Sequence, residues 1–399
     1  MNTNWKKPFF IIYAGQAFSL LGSAAVQFAV IWWLTVQTES ALVLTLSTVI
    51  AFIPNMVIGP FAGVWIDRYN RRKVMMAADG LVALSSVILG IAFLLLKTPP
   101  LWFLFFILFL RGVGNTFHGP AMQAAVPMLL PAEMLTKAGG WGNLINSIST
   151  MLGPVLGAAL MGMFPIASIM LVDILGAALA IFCLLFVKIP DIPQGAEKPD
   201  FIADWKQGFV AIRENKPLVA ALPAMLLCNV LYMPLGALFP LLVYSHFMGT
   251  AWHNSLVEFV FAGGLLVSSL VMGVWGGIKR RFLMVALAIG ALGAASAISG
   301  LLSPVGFPFF VGCCFVMGCT GTFINVPLMA YTQETIAPEM MGKVFSLMMT
   351  GMTLAMPIGL LLAGPVSQFF GVDLWFFWSG IALAATGVLC GIMTWRYDS

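Results

Sequence analysis

Gly63-Val64-Trp65-Ile66-Asp67-Arg68-Tyr69-Asn70-Arg71-Arg72-Lys73 joins two long apolar runs. Small, acidic and basic residues crowd this short connection, and the sequence on either side carries almost no charge. Reading outward, twelve apolar stretches fill the chain, at 8–35, 41–66, 74–96, 100–124, 138–163, 166–187, 218–245, 253–278, 282–302, 306–331, 343–369 and 372–395. A bilayer core of about 30 Å needs roughly 20 apolar residues per helix. The runs have that length and show no period-two alternation, so they predict helices rather than barrel strands.

Composition points to the same solvent. With 61% hydrophobic and 9% charged residues over 399, a soluble globule would lack the polar surface to cover itself. The reading is therefore an all-α membrane protein with twelve transmembrane helices. Residues 1–7 lead into an apolar run too long for a signal h-region, so the first helix is expected to act as its own targeting signal.

Basic residues set the orientation. Among the 19 Lys and Arg, Arg111 is embedded in the fourth span and Lys97 falls in an outer loop. All the others fall on one side if both termini are cytoplasmic, which is a strong positive-inside bias. The net charge of +4 thus reports topology in a cytoplasmic membrane, with anionic lipid as neighbour and no nucleic acid implied.

The polar stretch 188–217 divides the chain into six-helix halves, 1–187 and 218–399. Internal echoes support a duplication. Gly63-Val64-Trp65 before Arg71-Arg72-Lys73 matches Gly273-Val274-Trp275 before Lys279-Arg280-Arg281, and Pro120 to Pro131 matches Pro327 to Pro338. Two pseudo-symmetric halves are the architecture of secondary transporters with a substrate site between repeats. Within the linker, Phe201, Trp205, Phe209 and Ile212 recur at helical spacing, which suggests an amphipathic helix on the inner membrane surface or a solvated connection.

The 63–73 loop reads as a gating latch as well as an anchor. Gly63 permits close helix approach, and Asp67 is an anion at a helix end that Arg68, Arg71 and Arg72 are placed to neutralise. Asn70 is expected to tolerate a left-handed backbone. In the fifth span Gly153, Pro154 and Gly157 form a small-residue face suited either to packing against the other half or to ordinary helix packing, with Pro154 removing a backbone hydrogen bond.

Charges inside apolar spans are expensive, roughly 2.5 to 3.5 kcal/mol each at mid-helix on insertion scales, and usually face protein or water. Glu258 reads as a proton carrier or cation-binding carboxylate, or as half of a packing ion pair. Asp173 carries the same alternatives, and Arg111 is either the partner of a carboxylate or a cap on backbone carbonyls. Asp79, close to the basic loop, reads as structural. Polar residues at helical steps, namely Gln16, Ser23 and Gln27 in the first span, Asn115 in the fourth, Asn143 and Asn146 in the fifth, and Asn229 and Tyr232 in the seventh, are expected either to line an aqueous cavity or to join helices by hydrogen bonds. Cysteines all lie in apolar spans without a Cys-x-x-Cys pair, and His118, His246 and His253 show no ligand spacing, so no metal or cofactor is expected.

The chain resembles the macrolide-efflux (Mef-type) group of major facilitator exporters almost end to end. The likeness is carried by Gly15-Gln16-Ala17, Gly59-Pro60, Asp67-Arg68, Ala78-Asp79, Arg111, Phe117-His118 and Pro120-Ala121 in the first half. Asp173, Met233-Pro234, Glu258, Cys313-Cys314, Val344-Phe345-Ser346-Leu347 and Met356-Pro357 continue it. The fifth span departs from the exporters' antiporter motif, with Ser149 and Ala158 at two of its glycine positions. The resemblance implies the major facilitator fold and proton-driven export of amphipathic drugs by a monomer. The sign of the embedded charge, Asp173 and Glu258 against Arg111, suits a cationic substrate. An exporter of an endogenous compound such as a siderophore or lysolipid is the rival. A channel would need a filter, and a membrane enzyme would need a nucleophile with its base; neither pattern is present in the sequence.

The orientation is open to direct test. A cysteine at Thr98 should label with an impermeant thiol reagent added to intact cells and one at Gln194 should not. Outside labelling at Gln194 would invert or break the twelve-span topology.

Overall fold

The computed structural model describes residues 6–131, 134–187, 189 and 201–397, apart from the side chains of residues 6, 63, 64, 67, 68, 127, 135–137, 201–205, 338 and 339. Its helices follow the apolar runs. In chain order they are α1 (Lys6–Thr38), α2 (Ala41–Arg68), α3 (Arg71–Leu96), α4 (Leu101–Leu129), α5 (Leu135–Met163), α6 (Ile166–Leu185), α7 (Phe201–Glu214), α8 (Lys216–Leu241), α9 (Ala251–Trp275), α10 (Arg281–Leu301), α11 (Phe307–Thr335), α12 (Pro338–Phe370) and α13 (Val372–Thr394). All except α7 are long and apolar enough to cross a bilayer, which makes 12 candidate spans among the described residues. Large hydrophobics such as Leu94, Leu95, Phe182, Val274 and Phe369 are exposed, as expected when lipid rather than water bathes the surface.

Two compact units form, Met1–Leu34 with Ser47–Ala196, and Thr35–Leu46 with Glu197–Ser399. Their internal neighbour patterns match. In the first unit α3 packs on α4 and α6, and in the second α10 packs on α11 and α13. Gly153 and Gly157 seat α5 against α1, just as Gly359 seats α12 against Val230 of α8. Gly112 brings α4 onto Ala51 of α2, and Gly264 and Gly318 do the same for α9 and α11. Small residues let backbones approach where no hydrophobic force distinguishes helix from lipid.

A Cβ at Gly153 would stand 2.5 Å from Ala24 Cβ, and one at Gly157 2.7 Å from Ala25 O and 2.8 Å from Phe28 Cδ1. The small face of α5, with Pro154 buried inside it, is used against α1 of its own unit. Sequence spacing defines the small face but not which neighbour takes it.

The loops repeat as well. Arg71, the first residue of α3, donates from Nη1 to Ala124 O of α4 at 2.7 Å, and Arg72 Nη2 donates to Leu185 O at the end of α6 at 2.9 Å. In the second unit Arg281, the first residue of α10, pairs with Glu334 of α11 at 2.6 Å, and the Arg280 guanidinium lies 5.4 Å from the Trp395 ring centroid, just past α13. Cations on helix C-terminal carbonyls are favoured by the helix dipole. Asn70, which tolerates a left-handed backbone, does not adopt one. At φ −59° it caps α3, its side chain accepting from the backbone N–H of Arg72 and Lys73 at 3.0 and 3.3 Å, which satisfies two of the helix's free donors. In the second unit Gly276 and Gly277, at φ 74° and 85°, supply the left-handed turn that ends α9.

The linker does form a helix, α7. It lies against α12, where a Cβ at Gly208 would meet Lys343 O at 2.9 Å and Lys343 Nζ donates to Gln207 at 2.5 Å. Ile212 is buried and Phe209 exposed, so these two members of the apolar stripe have different environments. Phe201 and Trp205 have side chains outside the described residues.

The α10–α13 seam provides a packing test. A Cβ at Gly293 would reach 2.6 Å from Gly380 O, whereas nothing lies within 4 Å of the Gly290 position. Gly293→Val should lower the melting temperature in detergent by a shift worth about 1–3 kcal/mol or more, and Gly290→Val on the same helix should not. Equal effects would mean that helix propensity, not the seam, decides.

Candidate functional site

The polar stripe of α1 serves two buried carboxylates. Ser23 Oγ donates to Asp173 Oδ1 of α6, and Gln16 Nε2 donates to Asp79 Oδ2 of α3 at 3.3 Å. Of the two readings left open for this stripe, helix-joining hydrogen bonds describe Gln16 and Ser23. Gln27, half-buried further along α1, belongs to neither cluster.

Asp173 is fully buried and Arg111 is 5% exposed. Arg111 Nη1 pairs directly with Asp173 Oδ2 and also donates to Ser86 Oγ at 2.7 Å, while Ser86 Oγ donates to the same carboxylate oxygen at 2.6 Å. Asp173 thus collects donors from α1, α3 and α4. Such an arrangement offsets the desolvation of both charges and holds four helices in register. Of the alternatives for Arg111, partner of a carboxylate is the one the geometry realises.

Asp79 is 6% exposed and His118 of α4 is 9% exposed. Asp79 does not turn to the basic loop. Its Oδ1 stands 3.4 Å from His118 Nε2, an ion-pair distance without hydrogen-bond alignment, and His118 Nε2 and Gln16 Oε1 have no hydrogen-bond partner. His118 borders a cavity of about 360 Å³ lined also by Tyr13, Leu20, Met122, Gln123, Asn143 and Asn146. The walls come from α1, α4 and α5. Asn143 and Asn146 line this cavity, and Asn115 is exposed elsewhere on α4. Sequence reading missed the Asp79–His118 pair because it took Asp79 with the loop and tested histidines only for metal spacing. The available signal was Arg111 and His118 seven residues apart on one helix face, each with an acid on a neighbouring span.

In the second unit Glu258 of α9 is half-buried, and Asn254, one turn earlier and 1% exposed, donates to its Oε1 at 2.8 Å. No basic side chain pairs with it among the described residues. Phe261, three residues on and so on the same helix face, stacks against Tyr232 of α8 with ring centroids 6.5 Å apart. Asn229 donates to its own helix at Met225 O, 3.1 Å. Of the latch, the side chains of Gly63, Asp67 and Arg68 lie outside the described residues, and Arg71 and Arg72 anchor α4 and α6. Groups of three or more His, Cys, Asp or Glu able to hold a metal are absent among the described residues.

Twelve apolar helices arranged as a repeated six-helix unit, with charges buried inside the helices and a cavity among them, define a multi-pass membrane transporter rather than an enzyme. Residues 12–360 match the model of the Major Facilitator Superfamily, and the chain belongs to that superfamily. It is 39% identical over 389 residues to Macrolide efflux protein A of Streptococcus pyogenes, covering 97% of this chain and 96% of that protein. It is 26% identical to Multidrug efflux pump Tap of Mycolicibacterium fortuitum, covering 98% and 96%. Among solved structures, the nucleoside transporter NupG superposes with a TM-score of 0.70 at 13% identity, covering 98% of this chain and 99% of that one, a likeness of fold.

The Arg111–Asp173 pair should be indispensable for folding. Asp173→Asn leaves a buried guanidinium without its counter-charge and should destabilise by about 3–5 kcal/mol, read as a collapse of the monodisperse fraction and melting temperature. Wild-type stability of that variant would show the pair to be dispensable.

Proposed function

We propose that this protein expels amphipathic, cationic, macrolide-like drugs across the cytoplasmic membrane in exchange for protons, by alternating access. The observation that carries the reading is its near full-length likeness to Macrolide efflux protein A. The similarity to the multidrug pump Tap supports a branch that handles drugs. Both termini are cytoplasmic on this reading, the protein works as a monomer, and the 63–73 loop with Asp67 stabilises one closed state.

Charge accounting supports a cation as cargo. Arg111 and Asp173 neutralise one another, so the embedded groups left to meet a substrate are acids, Glu258 with only an amide on it and Asp79 beside an imidazole. An anionic, carboxylate-rich compound would find no unpaired guanidinium or ammonium among them. Glu258 is the coupling carboxylate on this reading, since a carboxyl without a fixed cation exchanges a proton for a substrate cation at the least rearrangement. One proton moving down 100 mV releases about 2.3 kcal/mol, enough to bias a transporter with nearly balanced states.

The test is transport in proteoliposomes with an imposed pH gradient and a panel of macrolides. Wild type should concentrate drug against its gradient, and a protonophore should abolish this. Glu258→Gln, which carries the shape of the protonated acid, should lose uphill transport and keep passive exchange. Protonophore-sensitive accumulation by the Gln variant would remove Glu258 from the coupling role.

A further inference from the structure

The linker helix α7 uses only part of its circumference to pack. Its buried side runs through Gly208 and Ile212, one turn apart, and a Cβ at Gly208 would meet Lys343 O of α12 at 2.9 Å. Lys206, Phe209, Val210 and Arg213 fall at i, i+3, i+4 and i+7, which places them on one face, and all four are exposed. Phe209 is 61% exposed and Val210 52%. This is a different face from the stripe that spacing alone suggested, because Ile212 has turned inward. Along the helix it carries two apolar side chains at its middle and a cation at each end. Neither Lys206 nor Arg213 has an acid partner among the described side chains, and Glu214 stands at the edge of the face.

The depth of α7 is fixed independently. Asn215 follows the helix and caps α8, and its side chain ties this point to the end of α11: Nδ2 donates to Thr335 Oγ1 at 3.0 Å, and Oδ1 accepts from Tyr331 OH at 3.2 Å. Thr335 is the last residue of α11, and Lys343 lies in the second turn of α12. Both are spanning helices, so α7 is held at the level where spans end, which is headgroup depth in a bilayer. Adjacent Phe and Val facing water alone would be unfavourable there, whereas the boundary between headgroups and acyl chains accepts them.

We propose that the Lys206–Phe209–Val210–Arg213 face of α7 docks on anionic phospholipid. Phe209 and Val210 enter the headgroup–acyl boundary, and Lys206 and Arg213 lie against lipid phosphates, their long stems letting the charged ends reach outward while the apolar pair sinks. The occupant is a lipid rather than a soluble anion because the middle of the face is apolar. It is an anionic lipid because the exposed charge at its ends is positive. Docking gives α7 a second anchor besides α12, so lipid composition bears on how firmly the connection between the six-helix halves is held. The proposal rests on the depth and exposure of α7 and not on the efflux reading.

Photocrosslinking from the face itself tests it. The full chain carrying p-benzoylphenylalanine in place of Val210 is reconstituted in nanodiscs of equal phosphatidylglycerol and phosphatidylcholine and irradiated, and the mass of each adduct identifies its lipid. Phosphatidylglycerol adducts should outnumber phosphatidylcholine adducts at least about fivefold, the preference that one cation near an anionic surface confers. Lys206→Gln combined with Arg213→Gln should bring the two lipids to parity, and Lys206→Arg should preserve the preference. The same probe at Phe369, exposed at the other end of α12, should give parity in the otherwise wild-type chain. Both cations are exposed, so their removal should leave the melting curve unchanged. Crosslinks to the chain itself in place of lipid, parity with both cations present, or a preference that survives the double Gln variant overturns the proposal. The two leaflets of the nanodisc are alike and no substrate or gradient enters, so the result is independent of the orientation and of the efflux reading.

Discussion

A charge inside a bilayer must find its partner inside the protein, and the Arg111–Asp173 pair is where this chain meets that demand. Water is not available to solvate either group at mid-membrane, so each is stable only if the other stands beside it. Two hydroxyls complete the arrangement, Ser23 from α1 and Ser86 from α3. The pair thereby ties α1, α3, α4 and α6 at one depth. Most helix contacts in the unit are apolar and tolerate sliding, whereas this cluster specifies a register.

Around that fixed point the helices are drawn together by missing side chains. Glycines at the α1–α5, α2–α4, α8–α12, α9–α11 and α10–α13 contacts bring backbone against backbone, giving dispersion contacts that lipid tails cannot match. The same neighbours recur in both units, and Arg71 and Arg281 open equivalent helices by reaching across to the helix that follows. Yet their partners differ, a carbonyl in one unit and a carboxylate in the other. The repeat therefore preserves the job of the cation rather than the bond that does it.

Much of this was legible in the sequence because the bilayer imposes it. Span length, the basic side and the internal echo depend on composition and spacing, and the helices fall where the apolar runs do. The pairing of Arg111 with a carboxylate was one of two open readings. What spacing does not contain is the rotation of each helix and the identity of its neighbour. The small face of α5 was evident from Gly153 and Gly157, but α1 as its partner was not. Asn70 was read for the left-handed backbone it tolerates, and its side chain instead made it a cap. Asp79 was near the basic loop in sequence, but α3 turns it inward to Gln16 and His118.

The two halves differ most where their chemistry would matter. In the first unit the buried acids face basic side chains, Arg111 for Asp173 and His118 for Asp79. In the second, Glu258 has an amide from its own helix, and further along α9 Ser268 donates to Thr322 at 2.8 Å. Arginine cannot give up its proton in a protein, whereas imidazole and carboxyl groups can. Asp173 is consequently paired with a permanent cation, while Asp79 and Glu258 are not. A duplicated scaffold with unequal charge can fix its helix register with one set of groups and leave another, Asp79 and Glu258, without a permanent countercharge.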